Sequence, residues 1–212
     1  MKIGVTRFPG TNCDYDAYKM IEHSSHEPVW LWHQDSFDTK SVDAVIIPGG
    51  FSYGDYLRCG ALASRSPVMK SVIEFAERGK PVLGICNGFQ ILCESGLLPG
   101  ALLRNENLTF IDEWVELNVE STNPYFAKSY PKNKKIRLPI AHGEGRFFAE
   151  SDAMKKILDN QQVWLTYLQN PNGSMNNIAG IKNEKGNVFG LMPHPERAMT
   201  TWMGGVDGGF FL

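Results

Sequence analysis

Val82-Leu83-Gly84-Ile85-Cys86-Asn87-Gly88-Phe89-Gln90-Ile91-Leu92-Cys93-Glu94 is the stretch that decides the fold. Val82–Ile85 reads as a buried strand, and Asn87–Glu94 reads as a helix closed by Gly96. Only Cys86 separates them. Glycines 84 and 88 permit a sharp turn and a close approach of neighbouring backbone. Glycine-x-nucleophile-x-glycine between a strand and a helix is the nucleophile-elbow pattern, here with cysteine in place of serine. The helix start brings unpaired N–H groups and a positive dipole end beside the sulfur, which favours thiolate. The Asn87 amide, just after the nucleophile, can donate to an oxyanion. The competing reading makes Cys86 a small buried hydrophobe at a strand end, as most free cysteines are.

Outward from the elbow the pattern alternates. Lys2–Thr6 reads as a strand, and Asp14–His23 as a helix with Asp14 as candidate N-cap. Pro28–Trp32 and Asp43–Ile47 read as further strands, the second stopped by Pro48-Gly49-Gly50. Ser66 and Pro67 open a helix with the apolar stripe Val68, Met69, Val72, Ile73, Phe75 and Ala76, which Gly79 ends. Strand–helix alternation over the first hundred residues predicts βαβ units and a parallel sheet. The second half is richer in strand. Val115, Leu117 and Val119 alternate with Glu116, Asn118 and Glu120, and Ile178–Lys182 with Asn187–Met192 flank a hairpin turn. The expectation is an α/β fold: a mixed, mostly parallel sheet with helices on both faces, antiparallel towards its C-terminal side.

Length and composition narrow the rest. The chain has 212 residues, 42% hydrophobic and 21% charged, which is ordinary globular composition. No repeat or Pro/Gly/Ser-rich linker divides it, so residues 1–212 are expected to form one domain. Lys and Arg number 21 against 23 Asp and Glu, so no basic surplus exists to neutralise phosphates and nucleic-acid binding is not expected. Apolar runs never exceed four residues, far short of the ~20 that a membrane span needs. Met1–Thr6 lacks the apolar stretch of a signal peptide, and cytoplasm is the default compartment. There Cys13, Cys59, Cys86 and Cys93 are expected to be thiols.

A thiolate nucleophile needs a base and a group to orient that base. His194 stands in Met192-Pro193-His194-Pro195-Glu196-Arg197, after a buried strand. A residue before proline is pushed towards extended geometry, where residues i and i+2 face the same way, so Glu196 can fix the His194 tautomer. The bland alternative for His-x-Glu is a solvated pair. His142 lies in a glycine-rich loop able to line a pocket, while His23, His26 and His33 read as surface or packing residues. Gly49 and Gly50 follow another strand end and can offer backbone N–H groups to a ligand. No H-E-x-x-H or clustered Cys/His predicts a metal, and no phosphate-loop signature predicts ATP chemistry on this chain.

The elbow Gly84–Gln90 together with Pro193-His194-Pro195-Glu196-Arg197 resembles the class I (triad) glutamine amidotransferases. Pro48-Gly49-Gly50-Phe51-Ser52-Tyr53-Gly54-Asp55-Tyr56-Leu57-Arg58, Ala141–Phe147 and Gly186–Met192 are similar to the family of glutaminase subunits of phosphoribosylformylglycinamidine synthase. The resemblance runs from Pro9-Gly10-Thr11-Asn12-Cys13-Asp14 to about Gly209. It implies a flavodoxin-like fold and a cytoplasmic enzyme of purine synthesis that hydrolyses glutamine to glutamate and ammonia. A separate synthetase subunit would use that ammonia with ATP and Mg²⁺, and a small third subunit would join the complex. This chain itself would hold no cofactor and no metal. Cys86 would be the nucleophile, His194 the general base and Glu196 its partner, with Gly50 and Asn87 as oxyanion donors and Gly49 as the alternative to Gly50. Gln90 would sit near glutamine, as would Phe51, Arg58, His142 and Glu144. Family members continue past Asp207–Phe211 into a helix, whereas the sequence given stops at Leu212. The competing functions are a stand-alone cysteine hydrolase of the same fold, either a peptidase or a γ-glutamyl hydrolase, and a non-catalytic regulatory subunit.

Overall fold

The computed structural model describes residues 1–212. The first half alternates as β1 (Lys2–Arg7), α1 (Asp14–His23), β2 (Glu27–Trp32), β3 (Ala44–Ile47), α2 (Pro67–Glu77), β4 (Val82–Ile85) and α3 (Asn87–Glu94). The second half holds β5 (Ala101–Leu103), β6 (Ile111–Val119), β7 (Lys135–His142), β8 (Arg146–Phe148), α4 (Ser151–Asp159), β9 (Val163–Tyr167), β10 (Ile178–Lys182) and β11 (Val188–Leu191). Nine strands form one sheet in the order β2-β1-β3-β4-β11-β10-β9-β6-β7, and β5 pairs with β8 apart from it.

Pairing is parallel from β2 to β11 and antiparallel from β11 to β7. Followed across the sheet, only β10 and β6 run against the other strands, so the sheet is mixed but mostly parallel. Every residue of β3, β4 and β11 is buried. Strands buried at every position need cover on both faces, as crossover helices supply. α1 packs on β1 and β2, and α3 on β3, β4 and β11. A single cluster of 53 buried residues forms the core.

Two local differences from expectation, at the starts of α1 and α2, have physical causes. Cys13, not Asp14, is the N-cap of α1. Asp14 occupies the first helical position, where its carboxylate accepts from the Arg7 guanidinium at 2.7 Å and sits favourably at the positive helix end. Ser66 does precede α2, but its hydroxyl makes no cap bond and instead meets the Tyr53 hydroxyl at 2.9 Å. Ile73 is only partly buried, while the other five stripe residues of α2 are buried. β7 carries Pro139 in mid-strand, which a sheet tolerates because β7 is its edge.

This topology positions the loops. The chain leaves β1 to place β2 on one side and β3 on the other, so the order reverses at β1. In open α/β sheets ligands bind beyond the carboxyl ends of strands near such a reversal. The segments after β1, β3, β4, β11 and β7 all leave that one edge of the sheet.

Candidate active site

Cys86 joins β4 to α3 with φ 49° and ψ −104°. Such a conformation in a non-glycine residue costs on the order of 1–3 kcal/mol and persists only where the surroundings impose it. The surroundings here are glycines. A Cβ on Gly88 would lie 1.9 Å from the Ile47 carbonyl oxygen, and one on Gly84 would lie 2.6 Å from Gly88. Only bare backbone lets the start of α3 settle against the ends of β3 and β4. The Cys86 amide donates to the Leu191 carbonyl at 2.7 Å, tying the elbow to β11. The Asn87 and Gly88 amides open the helix and have no intrahelical acceptor. The Cys86 sulfur is buried, 3.8 Å from the Ala141 carbonyl oxygen.

His194 arrives from β11. Its amide donates to the Pro139 carbonyl of β7 at 2.8 Å. Its Nδ1 donates to Glu196 Oε1 at 2.5 Å. His194 and Glu196 share a face through a turn rather than through the extended backbone expected. His194 caps a 3₁₀ turn over Pro195–Arg197, and the turn carries the carboxylate back to the ring. Both side chains are almost wholly buried, so the pair is not solvated. Burial alone would lower the His194 pKa; the charges of Glu196 and Cys86 outweigh it and push the pKa up to about 10. Gly49 explains how sulfur and imidazole face each other: a Cβ there would meet His194 Cε1 at 2.8 Å and Cys86 Cβ at 3.4 Å.

The turn after β3 supplies donors. The Gly49 and Gly50 amides donate to no other protein group, whereas the next two amides are taken, Phe51 N–H by the Gly10 carbonyl and Ser52 N–H by Asn87 Oδ1. Gly50 has φ +126°, and a Cβ there would strike the Asn12 backbone at 2.6 Å. Asn87 also donates through Nδ2 to Gln90 Oε1, and Gln90 Nε2 donates to the Glu144 carbonyl at 2.6 Å. Asn87 and Gln90 therefore lock the loops after β3 and β7 to the start of α3.

These loops enclose a cavity of about 500 Å³ lined by Gly50, Phe51, Cys86, Gln90, His142, Glu144 and His194, within the usual range for a small-molecule site. His142 is the last residue of β7 rather than a loop residue. Its ring meets Asn105 Oδ1 at 3.1 Å, and burial, then His194, push its pKa down to about 4. Since the Asn105 oxygen can only accept, Nδ1 carries the proton of the neutral ring. Glu144 lies 3.8 Å from Arg104. Arg58 is the misplaced expectation: its guanidinium forms a two-pronged pair with Glu94 at 2.6 Å and does not reach the cavity. The two-pronged pair fixes the guanidinium on Glu94, and Arg58 is not among the residues that line the cavity. Asn12, Cys13, Asp55 and Arg197 also line the cavity. They lie inside or beside the motifs quoted above, which was the available clue; Arg104 and the 108–112 segment gave none.

The profile of the CobB/CobQ-like glutamine amidotransferase domain matches residues 1–206. The phosphoribosylformylglycinamidine synthase subunit PurQ of Nostoc sp. is 57% identical over 210 residues, covering 98% of this chain and 93% of that protein. The chain belongs to the class I glutamine amidotransferases. PurQ of Trichormus variabilis gives the same 57% identity and coverage. Among solved structures, PurLQS from Thermotoga maritima superposes with a TM-score of 0.90 at 48% identity, covering 99% of this amidotransferase and 94% of that chain. The fold is also shared with a second glutamine amidotransferase from Thermotoga maritima, at a TM-score of 0.60 and 19% identity over 96% of this chain and 81% of that one.

Proposed function

We propose that this chain is the glutaminase subunit of phosphoribosylformylglycinamidine synthase, hydrolysing glutamine through Cys86, His194 and Glu196. The observation that carries the reading is the strained elbow at Cys86, set across Gly49 from a buried His194–Glu196 pair, in a chain 57% identical to PurQ. A structural cysteine needs neither the φ of 49° nor the orienting dyad.

In the proposed reaction the Cys86 sulfur attacks the side-chain amide carbon of glutamine, after His194 Nε2 has taken the thiol proton. The Gly50 and Asn87 amides receive the oxyanion, with Gly49 as the alternative donor to Gly50. His194 returns the proton to the leaving nitrogen, ammonia departs and a glutamyl thioester remains. Water, deprotonated by His194, releases glutamate and restores the thiol. Glu196 holds the ring in the tautomer that leaves Nε2 free and stabilises the imidazolium. Phe51, Gln90, His142 and Glu144 surround the substrate. Arg58 has no place in this arrangement.

The ammonia serves a synthetase partner that consumes ATP with Mg²⁺ and converts formylglycinamide ribonucleotide to the amidine, with a small third subunit completing the complex. The likeness to PurLQS supports this partnership. No helix is long and apolar enough to cross a membrane. Labelling with the glutamine-like electrophile diazo-oxo-norleucine, followed by peptide mass spectrometry, tests the assignment. The adduct is expected on Cys86; an adduct elsewhere, or none, overturns it.

A further inference from the structure

Cys13 has no part in the reaction above, yet it lies against the dyad. Cys13, His194 and Glu196 are all buried, and each offers a ligand atom within 4.8 Å of the other two. The Cys13 sulfur accepts from Arg197 Nη2 at 3.0 Å, and Arg197 is itself flanked by Asp16 at 3.5 Å. A Cβ on Gly49 would lie 3.4 Å from that sulfur and 2.8 Å from His194 Cε1, so thiol and imidazole share one wall. Two polar atoms of the dyad make no hydrogen bond: Glu196 Oε2 and His194 Nε2 are both buried.

We propose that Cys13, His194 and Glu196 form a binding site for a soft divalent cation of the zinc class, and that occupancy reversibly switches the glutaminase off. Thiolate, imidazole and carboxylate are the donors that zinc takes. Metal–ligand bonds of about 2.0–2.3 Å put ligand atoms roughly 3.5 Å apart in a tetrahedron, so the His194 Nδ1–Glu196 Oε1 contact of 2.5 Å must open by about an ångström while separations near the 4.8 Å limit close by a similar amount. The imidazole nitrogen facing Glu196 is Nδ1, so the cation enters between ring and carboxylate. Binding expels the Cys13 thiol proton and the Nδ1 proton to solvent, and no electron is transferred. Burial and the Glu196 charge push the Cys13 thiol pKa up to about 12, against which Arg197 favours thiolate, so the cation itself displaces the proton. With its Nδ1 metallated and Glu196 engaged, His194 loses the tautomer that relays protons to the leaving ammonia. No metal-ligand spacing exists in the sequence because position 13 and positions 194 and 196 meet only in the fold.

The test uses the full chain and Co²⁺ as a spectroscopic stand-in for Zn²⁺. Co²⁺ is expected to bind one per chain and to give a thiolate-to-metal charge-transfer band in the near ultraviolet. Cys13→Ser should abolish the band, and so should Cys13→Ala, with circular dichroism showing that each variant folds. Cys86→Ala and Cys59→Ser should keep it. No band in the wild type overturns the proposal. So does a band that survives loss of Cys13, and one lost with Cys86 or Cys59 places the cation elsewhere. The inhibition arm rests on the glutaminase reading; the spectrum does not. In that arm, Cys13→Ser should raise the free Zn²⁺ concentration for half-inhibition at least tenfold, each variant measured against its own metal-free rate. An unchanged midpoint shows that zinc acts through Cys86 and His194 alone and removes the switch.

Discussion

At the scale of single residues, the dyad and His142 carry opposite electrostatic instructions within one cavity. Glu196 and Cys86 hold His194 charged against its burial, whereas burial and His194 hold His142 neutral. Replacing Cys86 or His194 with alanine should therefore remove nearly all glutamine hydrolysis, on the order of 10⁶ in kcat, with the orienting Glu196 costing less. A Cys86→Ala protein that kept a tenth of the wild-type rate would refute the nucleophile. The same residues set a pH dependence of stability. The unfolded chain protonates His142 near 6.5, whereas the folded chain waits until about 4. Falling pH thus favours the unfolded state through this window, by about 3 kcal/mol in all. His194 adds no slope there: it is protonated in both states below its unfolded pKa of 6.5, and its stabilisation is lost progressively as pH rises from there to about 10. Urea unfolding of wild type and His142→Gln at pH 7 and pH 4.5 should give a stability difference between the proteins that shifts towards the variant at the lower pH. A difference independent of pH would contradict the buried neutral ring.

At the scale of elements, the elbow depends on how closely α3 approaches β3. A methyl group at position 88 would overlap the Ile47 carbonyl oxygen, which is backbone and cannot rotate away. Gly88→Ala should cost at least 1–3 kcal/mol, as overpacking does, and lower the melting temperature by several degrees. Displacing the start of α3 also moves Asn87, which holds both the Ser52 amide and Gln90. A shift of about 1 Å at a catalytic group is enough for a 10²-fold loss, so the rate should fall at least that far even where the variant remains folded. Differential scanning calorimetry with a glutaminase assay on the soluble fraction decides it; a stable, fully active Gly88→Ala would mean that the elbow tolerates slack.

At the scale of the whole molecule, the amidotransferase makes ammonia that another chain must use. Its five functional segments leave one edge of the sheet, so the nucleophile, the base and Gly50 line a single cavity. A complex reconstituted with Cys86→Ala should fail with glutamine yet still form the amidine product from ATP, ribonucleotide and ammonium salt at alkaline pH. Unprotonated ammonia is the nucleophile, so this rescue should strengthen as pH rises. Size-exclusion chromatography verifies that the mutant complex is assembled. A stand-alone hydrolase gives no ATP-dependent product under any condition, and a regulatory subunit keeps glutamine-dependent synthesis despite the mutation. An intact mutant complex inactive with ammonium salt, where the wild type is active with glutamine, would end the ammonia-donor reading.

The elements whose identity is written locally were determined by the sequence itself. Helices Asp14–His23 and Asn87–Glu94 and strand Val82–Ile85 have the bounds that their apolar periodicity prescribes, with Gly96 closing the second helix. The elbow was equally local, because glycine, cysteine and glycine at fixed spacing act on one turn. His194 and Glu196 were paired from their spacing, although a 3₁₀ turn rather than extended backbone joins them. Long-range contacts decided the rest. β7 and β9 carry weak strand signals of their own and exist by pairing with β6. Arg58 was drawn out of the site by Glu94, 36 positions away, since a two-pronged ion pair forms with whichever carboxylate the fold delivers. Cys13 came to the dyad for the same reason: it caps α1, His194 follows β11 with β3 and β4 lying between β1 and β11, and only the packing of α1 against the Pro195–Arg197 turn brings the two together.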